Sequence, residues 1–462
     1  MSKGANKLTS LEKKWVMYDV GNSAWVLFAS TIIPIYFESL AGGASNGAAT
    51  ALWGAVSAIV ALIALIICPI FGTMADYSGK RKFFFLFAMI GICGCVILSL
   101  PVMTALIFAI IYIITEASLS SSCVFYDSML SDVTTEDRLH NVSANGYAWG
   151  YIGSCIPFVL CLGLVLAIPN TVIPMQWRMT ASFLITAVWW LSFTLPIFKS
   201  YRQKNFMPKP LHPIRGTFKR LSEIFKEIKG NKKAFLFLVA FFLYINGTST
   251  IIKMATIYGK DMLHFGTTQL LLALLVTQIV AFPSAIIIGR LSKKFEDKTL
   301  IFVCIGGYVA VSLFALFLKM EWQFWLLAVV VGMFQGGIQA LSRSYFTSVI
   351  PAEKSGEYFG IYDIFGKGAG CLGPALVSGC VLIVKAIEKA APSFKGVTAI
   401  MNLDLLPIPL LTIAGLLVFI VVAKLPNTAR AKKAEVSAEE CAEEYAEISE
   451  SNETANEETE AE

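Results

Sequence analysis

Charged and amide-bearing side chains are scarce in the apolar stretches of this sequence, and the few that occur fall at helical spacing. Asp19 and Asn22 lie one turn apart, beside Tyr18, in the first stretch. Glu116 and Asp127 are eleven residues apart in a later one, a separation that returns to nearly the same helix face. Asn246, Thr250 and Lys253 form a stripe, Gln335, Gln339 and Arg343 repeat every four residues, and Asp363 and Lys367, also four apart, can pair within one helix. An ionisable group at the centre of a membrane helix costs about 2.5–3.5 kcal/mol on insertion scales, so each of these marks function or a compensating partner. The chemistry they suit is recognition of a polar or zwitterionic solute by amides and charges, with a carboxylate able to carry a proton. Tyr18, Asp19, Asn22, Glu116, Tyr151, Asn246, Lys253, Gln335, Gln339, Asp363 and Lys367 are expected to line that pathway. Residue by residue, the competing reading is polar glue between helices, worth about 0.6 kcal/mol per contact. Asp127 and Arg343 sit near the ends of their stretches and are expected to gate or to pair structurally.

A second constellation lies in a polar break, Gly72-Thr-Met-Ala-Asp76-Tyr-Ser-Gly79-Lys80-Arg81-Lys82. Gly72 permits close helix approach, Gly79 turns the chain, and Asp76 can grip a base or a helix N-terminus in one conformation and release it in another. With Arg81, these residues are the expected gate. The string resembles the signature loop of the major facilitator superfamily. The corresponding break in the second half, Gly289-Arg-Leu-Ser-Lys293, has a lysine where Asp76 maps, so the latch is expected to be one-sided.

The elements that must position these groups follow from composition. The 462 residues are 56% hydrophobic and only 15% charged, with mean hydropathy +0.68, too apolar for a soluble globular domain. The apolar residues fall in blocks near 15–37, 51–73, 83–102, 104–126, 143–167, 179–198, 234–257, 267–289, 299–318, 322–346, 358–384 and 405–424. Each is long enough to cross about 30 Å of hydrocarbon as a helix. The fold class is therefore an all-α membrane protein of twelve transmembrane helices in two six-helix bundles. The expected divisions are an N-terminal segment 1–14, bundles 15–198 and 234–425, a basic linker 199–233 and an acidic tail 426–462 that composition marks as disordered. Lys and Arg gather in the even-numbered loops and at both ends, which places both termini in the cytoplasm. No removable signal peptide is evident. Nine of the ten cysteines lie in apolar spans and read as small buried residues. His140, His212 and His264 are far apart in loops or at span ends, and no nucleotide, metal or nucleophile motif occurs. The chain is thus expected to be no enzyme, to need no cofactor or metal, and to bind no nucleic acid.

Several strings together are similar to one family: Tyr18-Asp-Val-Gly-Asn-Ser-Ala24, Phe125-Tyr-Asp-Ser-Met-Leu, Gly146-Tyr-Ala-Trp-Gly-Tyr-Ile-Gly153, Gln278-Ile-Val-Ala-Phe-Pro283, Gln335-Gly-Gly-Ile-Gln-Ala-Leu-Ser-Arg-Ser344 and Glu357-Tyr-Phe-Gly360. They resemble the vacuole-effluxer-like branch of the major facilitator superfamily, which includes the fungal autophagy-related vacuolar amino-acid effluxer and many bacterial relatives. The resemblance runs from about Trp15 to Leu425. It implies the major facilitator fold and a monomeric secondary transporter exporting amino acids or similar small polar metabolites, with protons as a coupling partner. A drug or metabolite antiporter, or a receptor on the same scaffold, is the alternative. The membrane implied is the bacterial cytoplasmic membrane, or else a vacuolar one. One departure stands out: the family's seventh span reads Tyr-Asn-Asp-Gly, whereas here Tyr244 is followed by Ile245, Asn246 and Gly247, an amide in place of an acid.

Overall fold

The computed structural model describes residues 7–42, 47–207, 223–224, 226–261, 263–391 and 395–426. Among them, twelve helices are long and apolar enough to cross a membrane. They are α1 Ser10–Leu40, α2 Gly47–Ala75, α3 Lys80–Leu98, α4 Ala105–Ser128, α5 Leu139–Leu162 and α6 Met175–Ser200 in the first half. The second half has α7 Lys232–Asp261, α8 Thr267–Leu291, α9 Asp297–Ala315, α10 Glu321–Val349, α11 Ser355–Ala390 and α12 Pro407–Lys424. The acidic tail and the centre of the basic linker lie outside the described residues.

Local signals fix several helix starts. Thr9 caps α1 in a capping box with Glu12, and the Thr104 hydroxyl accepts the Ile107 N–H at the start of α4. Several helices begin before their apolar blocks suggest, α5 and α11 among them. The block expected at 143 starts at Leu139, and the one expected over 358–384 runs over Ser355–Ala390. The added turns contain Leu139, Asn141, Ser355 and Glu357, all buried. Their polarity reads as loop, but packing against neighbouring helices supplies partners that a hydropathy count does not see.

Each half closes on its own apolar core. Trp15, Tyr18, Trp25, Phe125, Phe183 and Trp190 belong to the first, and Phe237, Tyr244, Tyr308, Phe346, Tyr362 and Phe419 to the second. The halves meet along two seams, α2 against α11 and α5 against α8 and α10. Glycines make the first seam possible: a Cβ on Gly72 would stand 2.5 Å from the Gly356 carbonyl oxygen, and one on Gly360 2.7 Å from that of Cys68.

Candidate functional site

The site centres on α10, where Gln335, Gln339 and Arg343 project one turn apart. Arg343 is 2% exposed and reaches from the second half into the first. Its Nη1 donates to Asp127 Oδ1 of α4 at 3.0 Å and its Nη2 to Asp19 Oδ2 of α1 at 3.3 Å. Nε and Nη2 also donate to the Ser143 hydroxyl and carbonyl of α5, at 3.0 and 3.1 Å. The guanidinium lies 4.7 Å over the Trp15 ring and 4.2 Å over that of Tyr147. The planar fork of arginine suits this mixture of hydrogen bonds and ring stacking in a way a lysine ammonium does not. Gly146 is needed for the fit, because a Cβ there would stand 2.5 Å from Asp19 Oδ2 and 2.9 Å from Arg343 Nη2.

Further ties between the halves gather at one end of the bundle, the basic end, which carries Lys80, Arg81, Arg138, Arg290, Lys293 and Lys294. Asp76, fully buried, accepts the N–H of Gly356 at 2.6 Å and that of Glu357 at 2.8 Å, gripping the first turn of α11. Gly79, at φ 109°, turns the chain into α3. Ser355 donates to the Ser128 carbonyl at 3.1 Å. On the other seam, His140 of α5 lies 2.7 Å from Asp297 of α9 through Nε2 and 2.7 Å from the Ser344 hydroxyl through Nδ1. Arg81 does not cross between the halves as a gating residue would. It stacks over Phe198 of its own half at 4.8 Å, while neighbouring Lys80 is buried 3.7 Å from Asp132.

Farther from this end, Asp363 and Lys367 pair at 2.7 Å with side chains 13% and 29% exposed, and Lys367 donates to Cys68 Sγ at 3.2 Å. Glu116, half-buried, accepts the Trp25 indole N–H at 2.7 Å. Tyr151 donates to Gln339 across the halves at 2.5 Å. Lys253 is exposed on α7, and Asn22 is buried beside Asp19 on α1. Two expected pathway residues sit elsewhere. Tyr18 is wholly buried in the first core, its hydroxyl 2.6 Å from that of Ser122. Asn246 is wholly buried and ties α7 to α11, accepting the Gly373 N–H at 3.1 Å. Both are short polar bridges between helices of one half, a use that residue type and spacing do not separate from solute contact.

Trp15, Ser143, His140 and Asp297 were not singled out by pattern. A histidine at the start of a helix facing a basic loop gives no periodic signal. Among the described residues, no group of three or more His, Cys, Asp or Glu side chains could hold a metal ion. The arrangement can hold the basic end shut while leaving charged groups partly exposed deeper in the bundle.

A family model described as "Vacuole effluxer Atg22 like" matches residues 48–415. The chain is 41% identical over 379 residues to an uncharacterized MFS-type transporter, YxiO, of Bacillus subtilis, covering 80% of this chain and 88% of that protein. It is 27% identical over 297 residues to autophagy-related protein 22 of Yarrowia lipolytica, where the match covers 56% of this chain and 50% of the relative; the chain thus spans about half the length of that fungal protein. Among solved structures it resembles FucP, a major facilitator transporter in the outward conformation, with TM-score 0.64 at 13% identity over 90% of this chain and 98% of that one. It also resembles the proton:xylose symporter XylE, with TM-score 0.62 at 12% identity over 88% and 93%.

Proposed function

The chain belongs to the vacuole effluxer Atg22-like family and is a multi-pass membrane transporter of the major facilitator superfamily; from that premise we propose that it works by alternating access and exports amino acids or similar small polar metabolites in exchange for protons. The observation that carries this reading is the Arg343 contact, in which two carboxylates of one half, Asp19 and Asp127, share one guanidinium of the other. A buried ion group of this kind is strongly held only while complete, since removing one partner leaves an uncompensated charge. A proton on Asp19 or Asp127, or a solute carboxylate competing for Arg343, weakens the tie and shifts the balance toward opening of the basic end. Asp76 adds a second hold on the same state. With the basic end read as cytoplasmic from its surplus of lysine and arginine, a state in which these ties are made is closed on the cytoplasmic side. Asp363, Lys367 and Glu116, charged and only partly covered, are the groups a polar solute meets first.

The test is flux of labelled amino acids in proteoliposomes, with and without an imposed pH gradient, for the native chain, Asp19→Asn and Asp76→Ala. Gradient-sensitive flux that Asp19→Asn abolishes and Asp76→Ala impairs is the expected result. Flux indifferent to the gradient removes proton coupling. A folded sample that moves no amino acid removes that substrate class.

A further inference from the structure

The linker that leaves α6 lies against the first half before it crosses to the second. The chain turns extended at Tyr201, with φ −69° and ψ 134°, and a parallel bridge pairs Met207 with Tyr77 in the loop between α2 and α3. Between these points burial alternates. Tyr201, Gln203, Asn205 and Met207 are buried or partly covered, while Arg202, Lys204 and Phe206 are exposed, the two-residue period of an extended chain lying on a surface.

The covered side engages the backbone around Asp76. The Met207 N–H donates to the Asp76 carbonyl at 2.7 Å. Gln203 donates through Nε2 to the Tyr77 carbonyl at 3.1 Å, and its Oε1 accepts the Gly79 and Lys80 N–H groups, both at 3.2 Å. Gly79 supplies the positive φ that turns the chain into α3 but has no side chain to cap that helix, and the Gln203 amide caps it from the linker instead. The segment is itself anchored. Asn205 donates through its backbone N and Nδ2 to Asp132 Oδ1 at 3.0 and 2.8 Å, and the Tyr201 hydroxyl donates to Asp132 Oδ2. Farther along the same linker, Ile224 and Ile228 are buried in the core of the second half.

These bonds fix the backbone on both sides of the carboxylate that grips α11. A loose loop would have to be ordered each time Asp76 captured the Gly356 and Glu357 N–H groups, and that entropy would count against closing. A loop already ordered by the linker closes without it. We propose that residues 201–207 are a strap that positions the Asp76 latch, so that the linker joining the two bundles sets how firmly the basic end closes. Gln203 and Met207 are the positioning residues. Their hydrogen bonds go to the loop and within the strap, and both act on α11 through Asp76. This role rests on the alternating-access reading above and adds to it a control on the latch from outside the seam between the halves.

The experiment uses the full chain in lipid nanodiscs, with spin labels at Asp137 and Lys294, and reads the open fraction of the basic end from the long-distance population in double electron–electron resonance. Gln203→Ala is expected to raise the open-to-closed ratio about fivefold. Met207→Pro, which deletes the N–H on the Asp76 carbonyl and leaves Gln203 in place, is expected to raise it about threefold. Because the strap works through the latch, neither change is expected to add anything in an Asp76→Ala chain, whereas both keep their whole effect in an Asp297→Ala chain. Running both variants through the two backgrounds keeps the test decisive where one of them fails to fold. Lys204→Ala, on the exposed side, is expected to shift nothing. Strap variants as closed as the native chain, an effect undiminished without Asp76, or an equal shift from Lys204→Ala overturns the proposal. An Asp76→Ala chain that opens while Gln203→Ala and Met207→Pro stay closed refutes the strap alone. One unchanging distance in every chain, Asp76→Ala included, refutes the alternating-access reading and the strap with it.

Discussion

The two halves share a hydroxyl pair and differ in the charge beside it. In the first half Tyr18 of α1 meets Ser122 of α4 at 2.6 Å, and in the second Tyr244 of α7 meets Ser342 of α10 at 2.7 Å. The residue after each partner separates the halves. Asp19 follows Tyr18 where Ile245 follows Tyr244, and Arg343 follows Ser342 where Cys123 follows Ser122. The repeated part pins central helices within each half, and the unrepeated part joins one half to the other. A second comparison has the same form. At the basic end Asp76 grips backbone N–H groups at the start of α11, whereas the pseudo-equivalent place in the second half uses Asp297 against the His140 ring at the start of α5. The first grip is buried; the Asp297 side chain of the second is 31% exposed.

The largest effect that would test this contrast is Arg343→Ala. It leaves Asp19 and Asp127 buried beside each other without a cation, so a loss of about 3–5 kcal/mol is expected in thermal unfolding, together with loss of transport. Arg343→Lys retains charge without the fork or stacking and is expected to fall between. A variant as stable as the native chain would show that the asymmetry of charge does not hold the halves together.

Next come the two latches, compared directly. Asp76→Ala strands two helix N–H groups and is expected to shift the closed-to-open equilibrium by about 1–3 kcal/mol. Asp297→Ala, on a partly exposed pair, is expected to shift it by under about 1 kcal/mol. Spin labels at the exposed positions Asp137 and Lys294, one in each half, report the change as a growing long-distance population in double electron–electron resonance. Equal shifts would erase the distinction between a buried and a partly exposed latch.

The smallest effect sharpens the shared part. Tyr18→Phe and Tyr244→Phe should each lower stability by about 1 kcal/mol and to the same extent, read by thermal unfolding. A marked inequality would mean that the two hydroxyl pairs only look alike.

Much of this is legible in the sequence, because membrane helices announce themselves by length and apolarity and because Asp19, Asp127 and Arg343 are charges where charges are unfavourable. What the pattern could not supply is which charge meets which. Arg343 and Asp19 are 324 residues apart, and their meeting depends on how two bundles dock. Arg81 shows the converse: a basic residue in a signature-like loop reads as part of the gate, yet packing turns it onto Phe198. Tyr18 and Asn246 are polar and inward-facing, as periodicity requires, but inward means core for one and a neighbouring helix for the other.

The glycine seam between α2 and α11 bears on speed. With Gly72, Gly356 and Gly360 packed backbone to backbone, these three positions offer no side chain to catch when, on the reading proposed above, one half turns on the other. The seam then acts as a fulcrum with little friction, and the activation barrier for exchange falls on the polar fastenings at Asp76 and Arg343. Turnover in such a machine is set by how fast those fastenings let go, so its temperature dependence should follow the breaking of a few charged contacts instead of the repacking of a core.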